Sequence, residues 1–217
     1  MCGIIGYTGR LDARPVIING LLALEYRGYD SAGIAVNNGS ETKIVKTTGK
    51  VATLREKVEA TADLAGTCGI GHTRWATHGG VTEVNAHPHV SGNVTLIHNG
   101  IIENYLELKE KLTRKGYVFY SETDTEVAVK LIDYYYKKYE GTPIDAINHA
   151  MVRIRGSYAL AMMFKDYPGE IYVARKDSPM ILGVDGENSY IASDVPAILK
   201  YTRNVYYIGN LEMARVR

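Results

Sequence analysis

Cys2 is the residue whose type and position allow the most specific chemistry, because it follows a single Met. Met1 before a small side chain is readily trimmed, and its removal would leave Cys2 with a free α-amine. A thiol with a pKa near 8.5 is only a few per cent thiolate at neutral pH, whereas an α-amine with a pKa of about 7.7 to 8.0 can accept its proton. Cys2 would then supply both nucleophile and base. From this segment alone, a small buried side chain in a strand is an equal alternative.

Five polar motifs follow Cys2 along the chain. They are, in order, Arg27-Gly28-Tyr29-Asp30-Ser31-Ala32-Gly33, His72-Thr73-Arg74-Trp75-Ala76-Thr77-His78-Gly79, Asn85-Ala86-His87-Pro88-His89, His98-Asn99-Gly100 and Ser121-Glu122-Thr123-Asp124-Thr125-Glu126. In this order and spacing they resemble the glutaminase domain of the glucosamine-6-phosphate synthase family, a branch of the class II, amino-terminal-nucleophile amidotransferases. The resemblance runs from Cys2 to Ala192-Ser193-Asp194 and therefore covers nearly the whole chain.

The resemblance implies a role for each matching position. Cys2 would be the nucleophile, and the Asn99 side-chain amide with the Gly100 N–H would form an oxyanion hole, in which one donor is typically worth roughly 3 to 4 kcal/mol. Arg74 would bind the α-carboxylate of glutamine and Asp124 its α-ammonium. Each of these residues also has a simpler interpretation without the resemblance. Asn-Gly more often forms a tight turn, Arg74 could be a surface residue, and Asp124 could cap a helix.

The segment from Trp75 to His89 resembles a flexible loop that closes over bound glutamine and excludes water. The residues implied near the substrate and the gate to the ammonia path are Trp75, Thr77 and His78, with Arg27 and His87 in support. Gly80-Val81 stands where the family pattern has an acidic residue followed by Pro. An extra Gly and a missing Pro should make the loop more flexible, so the sequence does not predict its closed conformation.

The reaction that the resemblance implies is attack of the Cys2 sulfur on the side-chain amide of L-glutamine, release of ammonia, and hydrolysis of the glutamyl thioester to glutamate. No cofactor is implied. In a complete enzyme, expected to be a homo-oligomer, the ammonia would reach a carboxy-terminal sugar-phosphate isomerase domain and convert fructose 6-phosphate to glucosamine 6-phosphate. Residues 1–217 are expected to be one glutaminase domain, with that isomerase domain missing, since the chain stops where another strand looks to begin.

Several alternatives remain open. The chain could be a related class II enzyme of the purine-synthesis or asparagine-synthetase type, a non-catalytic regulatory relative, or a fold-mate that hydrolyses another amide. The first two of the five motifs favour the hexosamine branch over the related class II enzymes. The joint presence of Arg74, Asn99 and Asp124 argues against the other two alternatives.

The histidines and cysteines suggest two further sites. Four histidines, at positions 72, 78, 87 and 89, invite a zinc site. A further ligand at suitable spacing is not evident, so we expect no metal and interpret them as satisfied structural histidines. Cys2 and Cys68 could form a disulfide, but the disulfide framework of a secreted domain normally has several pairs, and nothing indicates secretion. We therefore expect no structural disulfide.

The hydrophobic pattern defines the elements that would position these residues. It predicts a strand at Cys2–Tyr7, a helix capped by Asp12, a hairpin around Asn37-Asn38-Gly39 and strands at 67–75 and 94–102. Further predicted helices are Val51–Ala60, Asn104–Lys115, Asp124–Tyr139 and a segment from Pro143 to Arg155, before a second half of short strands with one helix near Val195–Leu199. Blocks in this order favour an α+β fold of packed antiparallel sheets covered by helices. The resemblance implies the four-layer sandwich of N-terminal-nucleophile hydrolases.

Charge and hydropathy exclude some partners. Lys and Arg (25) nearly cancel Asp and Glu (24), so no long-range field favours nucleic acid or an anionic membrane. No apolar run approaches the roughly 20 residues that span a bilayer, and no signal peptide is evident. We therefore expect a cytoplasmic protein with a small polar substrate.

Overall fold

The computed structural model describes residues 2–217. Met1, whose removal the sequence predicts, lies outside the described residues. The strands are β1 (Gly3–Thr8), β2 (Ser31–Asn37), β3 (Thr42–Thr48), β4 (Cys68–Arg74), β5 (His89–Ser91), β6 (Val94–Ile102), β7 (Gly156–Phe164), β8 (Ile171–Lys176), β9 (Ile181–Asp185), β10 (Asn188–Ala192), β11 (Val205–Tyr207) and β12 (Glu212–Val216). The α-helices are α1 (Ala13–Leu24), α2 (Val51–Glu59), α3 (Tyr105–Thr113), α4 (Asp124–Tyr139) and α5 (Pro143–Met151), and 3-10 turns cover Glu25–Arg27 and Val195–Ala197.

The strands form two antiparallel sheets that pack face to face. One sheet has the order β11-β9-β10-β1-β4-β2-β3 and the other β12-β8-β7-β6-β5. Helices α1 and α2 contact the first sheet, and α4 and α5 contact the second. A buried apolar layer that includes Ile4, Ile70, Ile97 and Ala159 fills the space between the sheets. The predicted α+β fold, with two sheets covered by helices, is confirmed.

Local signals explain where several helices begin. The Asp12 carboxylate accepts a hydrogen bond from Arg14 N at 3.0 Å, as expected of the predicted cap of α1. Helix α5 opens with a capping box in which Thr142 and Asp145 satisfy each other's backbone N–H groups, with Pro143 in its first turn. Helix α4 is capped by Thr123, whose hydroxyl accepts from Glu126 N at 3.2 Å. Short-range chemistry therefore sets these boundaries.

The predicted end of α5 near Arg155 is wrong, because the helix ends at Met151. The side chain of Asn104 donates to the carbonyl oxygen of Arg153 and accepts from Arg155 N, both at 2.9 Å. These bonds hold the turn and the short connection that lead from α5 into β7. Asn104 is the N-cap of α3, which begins at Tyr105, and its side chain bonds the segment after α5 and does not cap the helix.

The predicted disulfide alternative is excluded by the strand register. Cys2 precedes Gly3, which pairs with Thr73, whereas Cys68 pairs with Thr8 at the other end of β1. Five residues of strand separate the two pairs, or roughly 17 Å. Both cysteines are free, and Cys68 is buried between the sheets. Within residues 2–217, no helix is long and apolar enough to cross a membrane.

Candidate active site

The thiol of Cys2 lies where β1 begins and β4 ends. Trp75 N donates to Cys2 Sγ at 3.2 Å, and the sulfur is 3.5 Å from the carbonyl oxygen of Trp75. Burial raises the pKa of the Cys2 thiol, and the hydrogen bond from Trp75 N and the positive charge of Arg74 offset only part of that effect. The thiol is therefore protonated at neutral pH and needs a base before it can act as a nucleophile.

The backbone carbonyl of Cys2 is held by two side chains. Arg27 Nε and Asn99 Nδ2 each donate to this oxygen at 3.1 Å. Arg27 is buried, and its Nη1 also pairs with Asp194 at 3.0 Å. The Asp194 carboxylate accepts a further hydrogen bond from the Tyr26 hydroxyl. Arg27 thus bridges the Cys2 backbone and the Asp194 segment; its supporting role stays a prediction.

Asn99 and Gly100 lie on β6, beside the start of β1. Gly100 has a φ of +122°, a conformation that favours glycine. A Cβ at this position would overlap the carbonyl oxygen of Ser157 on β7. The tight-turn alternative for Asn-Gly is therefore wrong, because both residues are paired within a sheet. Residues other than glycine rarely adopt the positive φ of Gly100, so glycine is needed for this backbone conformation.

Arg74 is a buried residue and not the surface arginine of the alternative interpretation. Its guanidinium donates to the carbonyl oxygens of Gly80 (3.0 Å), Gly79 (3.2 Å) and His78. These carbonyls all belong to the loop that follows β4. A change in the loop conformation would therefore break the hydrogen bonds that the Arg74 guanidinium donates to these carbonyls.

Asp124 is also buried, and it is not the cap of α4. Thr123 takes that place, while Asp124 Oδ2 accepts from Ile102 N at 2.9 Å. Asp124 Oδ1 is 3.9 Å from His98 Nδ1. The carboxylate thus stands in the first turn of a helix, where the helix dipole stabilises negative charge. The helix-cap alternative for Asp124 is wrong.

The loop over residues 75–88 has neither helix nor strand. Asn85 Nδ2 donates to the Gly80 carbonyl and to Glu122 Oε2, both at 3.0 Å, and Gly80 N donates to the same carboxylate at 3.1 Å. The backbone of Gly80 is therefore bonded on both sides, although the loosening expected from Gly80-Val81 stays a prediction. Trp75 and Thr77 are exposed and His78 is half-buried.

One cleft brings most of the predicted residues together. Its lining includes Cys2, Arg74, Trp75, Thr77, His78, His87, Gly100 and Asp124. Its free volume is about 20 Å³, close to what one water molecule needs. A whole amino acid is far larger, so a ligand of that size could enter only if the walls of the cleft moved. A wider groove of about 550 Å³ beside Gly92 and Lys165 contains none of the predicted site residues.

The sequence profile of the family described as glutamine amidotransferase domain matches residues 72–200, which is more than half of the chain. The chain belongs to the glutamine amidotransferase family. Its curated relatives include a glutamine–fructose-6-phosphate aminotransferase (isomerizing) from Caldanaerobacter subterraneus subsp. tengcongensis, 51% identical over 100% of this chain and 35% of that protein. A protein of the same name from Methanosarcina acetivorans is 51% identical over 99% of this chain and 36% of its own length. The chain thus spans about a third of these relatives.

Two solved structures resemble this glutamine amidotransferase domain over its whole length. The glutamine phosphoribosylpyrophosphate amidotransferase from B. subtilis has a TM-score of 0.84 and 27% identity, with 47% of that chain covered. A structure described as the allosteric regulatory enzyme of purine biosynthesis has a TM-score of 0.88 and 28% identity, also with 47% covered. These likenesses confirm the predicted N-terminal-nucleophile sandwich.

Four buried histidines pack together at the cleft of this amidotransferase domain, an arrangement that the sequence does not predict. His72, His87, His89 and His98 are all buried, and the His72 and His87 rings stack at 4.1 Å. Nδ1 of His72, Nδ1 of His87 and Nε2 of His98 have no hydrogen-bond partner among the described residues. The prediction that these are satisfied structural histidines is therefore wrong for His72 and His87. Within residues 2–217, no group of three or more His, Cys, Asp or Glu side chains could hold a metal ion.

Two more contributors to the site carried no separate sequence signal. Asp30 Oδ2 accepts from Ala76 N at 2.8 Å and thereby fixes the start of the loop. Thr125 Oγ1 lies between His87 Nε2 (2.7 Å) and His98 Nδ1 (3.0 Å). Both residues stand inside the quoted motifs, but only the tertiary fold shows which neighbours they contact.

Proposed function

We propose that this domain hydrolyses the side-chain amide of L-glutamine through a Cys2 thioester. The observation that carries the proposal is the meeting, in one cleft, of the Cys2 thiol with a buried cation, Arg74, and a buried carboxylate, Asp124. A zwitterionic α-amino acid offers the complementary charges, and its side-chain amide would then extend toward the sulfur. Membership of the glutamine amidotransferase family identifies glutamine as that amino acid.

The chemical steps follow from the groups present. After removal of Met1, the α-amine of Cys2 takes the thiol proton, and the sulfur attacks the amide carbon. The amide oxygen becomes negative and is stabilised by Asn99 Nδ2–H and Gly100 N–H. The α-ammonium returns the proton to the leaving nitrogen, so ammonia departs and a glutamyl thioester forms. A water then attacks the thioester, its proton passes through the α-amine to the sulfur, and glutamate is released.

The finer proposal concerns the longer protein. The chain covers only 35% of its relative from Caldanaerobacter, and we propose that a carboxy-terminal isomerase domain uses the ammonia to aminate fructose 6-phosphate in a homo-oligomeric, cytoplasmic enzyme. Identity of 47–51% to aminotransferases of this name favours this assignment over the purine-synthesis type, for which identity is 27–28%. Assay of the longer protein with glutamine and either fructose 6-phosphate or phosphoribosyl pyrophosphate would separate the two.

The glutaminase proposal is tested by glutamate release from this chain with a free amino-terminal cysteine, verified by mass spectrometry. Cys2→Ala and a form that retains Met1 should both lose hydrolysis while keeping the wild-type unfolding transition. Cys68→Ala is the matched control, because Cys68 is buried and burial raises its pKa to about 12. Retention of most activity by Cys2→Ala would refute the nucleophile. Full activity in the Met1 form would refute the amine as base.

A further inference from the structure

The side-chain amide of Asn99 is held at both of its polar ends. Its Nδ2 donates to the carbonyl oxygen of Cys2 at 3.1 Å, and its Oδ1 lies 3.0 Å from His72 Nε2. An amide nitrogen has two hydrogens. Among residues 2–217, the second hydrogen of Nδ2 has no acceptor. It is therefore available to a substrate oxygen.

The contacts of His72 determine where its ring proton sits. Nε2 lies 3.0 Å from Asn99 Oδ1 and 3.0 Å from the carbonyl oxygen of His98, and both atoms can only accept. Nε2 must therefore carry the hydrogen. Nδ1 is left without a partner in the described chain. Burial lowers the pKa of His72 to about 3, so the ring holds this single proton at neutral pH.

We propose that His72 is a positioning residue that sets the direction of the Asn99 amide and thereby completes the oxyanion hole. The inference rests on the proposed glutaminase function. A flipped amide would place Nδ2 against the Nε2–H of His72 and Oδ1 against the Cys2 carbonyl, which makes two repulsive contacts. It would also point an oxygen at the developing oxyanion, where a donor is required. The Nε2–H of His72 therefore decides whether Asn99 stabilises or repels the transition state.

The ring of His72 is itself held in place. It stacks on His87 with 4.1 Å between ring centroids and an interplanar angle of 23°. His87 Nε2 lies 2.7 Å from Thr125 Oγ1, in the first turn of α4. The backbone of His72 is paired on both sides, with Ile4 of β1 and Gly33 of β2. The His72 ring, held in place on a central strand, thus orients the side-chain amide of Asn99.

The decisive comparison is His72→Leu against His72→Gln. Leucine removes the donor, whereas glutamine can return an N–H near the position of Nε2. We expect kcat for glutamine hydrolysis to fall at least about ten-fold in His72→Leu, since loss of a whole oxyanion donor costs about 10² to 10³. KM should change much less, and His72→Gln should regain most of the loss. Alkylation of Cys2 by iodoacetamide, which needs no oxyanion hole, should keep its wild-type rate in both variants.

A double-mutant cycle tests whether His72 acts through Asn99. In an Asn99→Ala background, His72→Leu should have no further effect on kcat. Independent, multiplicative losses would overturn the inference, as would wild-type kcat in His72→Leu. If the wild-type protein itself released no glutamate, the glutaminase proposal would fail instead. Should the leucine variant not fold, ¹⁵N NMR of the wild-type histidine ring decides, because an Nδ1–H tautomer contradicts the proposed contact.

Discussion

Arg74 Nη1 donates a hydrogen bond to the carbonyl oxygen of Gly80, at 3.0 Å. Although Arg74 is buried, no carboxylate lies within 4 Å of its guanidinium in the described part of the chain. Buried arginines are normally paired with an anion. The loop carbonyls therefore occupy donors that the proposed substrate carboxylate would engage, so we expect glutamine binding to displace these carbonyls from Arg74.

We expect Arg74→Lys to raise KM for glutamine by about 10- to 100-fold, because hydrogen bonds to charged groups are worth about 1.5 to 3 kcal/mol. Lysine keeps the charge but cannot reproduce the planar, two-pronged geometry. Steady-state kinetics with glutamine and with glutamine α-amide, which lacks the carboxylate, would measure the effect. The variant should discriminate less between these substrates. Arg55→Lys, at an exposed position of α2, is the control, and equal KM values in both variants would contradict the role of Arg74.

Gly100→Ala should destabilise the domain as well as reduce hydrolysis. The new Cβ would overlap the backbone oxygen of Ser157, which cannot move away without breaking the β6–β7 pairing. Gly39→Ala is a matched control, since Gly39 has a φ of +97° but nothing within 4 Å of its Cβ position. The control should lose about 1 to 3 kcal/mol of unfolding free energy in urea, from backbone strain alone. If Gly100→Ala lost no more unfolding free energy than Gly39→Ala, strand β6 would be able to accommodate the new Cβ.

The buried histidines should make the fold sensitive to mild acid. Burial lowers the pKa values of His72, His87, His89 and His98. Below about pH 6.5 the unfolded chain therefore binds protons that the folded chain does not, and the unfolding free energy falls as pH falls. At pH 5.5 the loss should be about 1.4 kcal/mol for each histidine that stays neutral. Urea unfolding at pH 7.5, 6.5 and 5.5 measures it.

His89→Gln provides the internal comparison for this acid effect. Glutamine does not titrate, and it can keep a hydrogen bond to the Thr123 hydroxyl, which lies 3.1 Å from His89 Nε2. The variant should lose less stability on acidification than the wild type, by the contribution of one proton. An unfolding free energy that is unchanged between pH 7.5 and 5.5 in the wild type would mean that the cluster protonates within the fold.

Most elements could be predicted because their signals are local. The bounds of β6 and α4 match the prediction to the residue. Strand β6 has apolar residues at both ends, and α4 is a long amphipathic pattern behind a Thr cap. Strand β5 has only three residues and no recognisable period, so it was missed. The end of α5 depends on Asn104, which is 49 residues from Arg153, and no local pattern contains that contact.

The candidate site could be predicted only through the family resemblance. Periodicity places Cys2 and Arg74 at strand ends but does not say that β1 and β4 are neighbours. The Arg27–Asp194 pair joins residues 167 positions apart, and the His72–Asn99 contact joins residues 27 apart. The unpaired ring nitrogens of the buried histidines are consequences of packing. A sequence pattern therefore cannot separate a satisfied histidine from one that lacks a partner.

Asp124→Asn should change substrate selectivity more than stability. Asparagine keeps the oxygen that accepts from Ile102 N at 2.9 Å, but it removes the negative charge. Loss of charge in the first turn of α4 should cost only about 0.3 to 1 kcal/mol. The α-ammonium of glutamine would lose its counterion, so the preference for glutamine over glutaramate, the same γ-amide without the α-amino group, should fall by at least about ten-fold. This preference is the ratio of the two kcat/KM values.

Asp145→Asn is the control for Asp124→Asn, because Asp145 also accepts backbone and side-chain hydrogen bonds in the first turn of a helix, α5, outside the cleft. It should leave the preference for glutamine unchanged while lowering stability by a similar or larger amount. Equal preferences in the wild type and Asp124→Asn would show that the ammonium is bound elsewhere. A loss of kcat/KM for both amides alike would instead identify Asp124 as a support for the cleft, acting through Ile102 on β6.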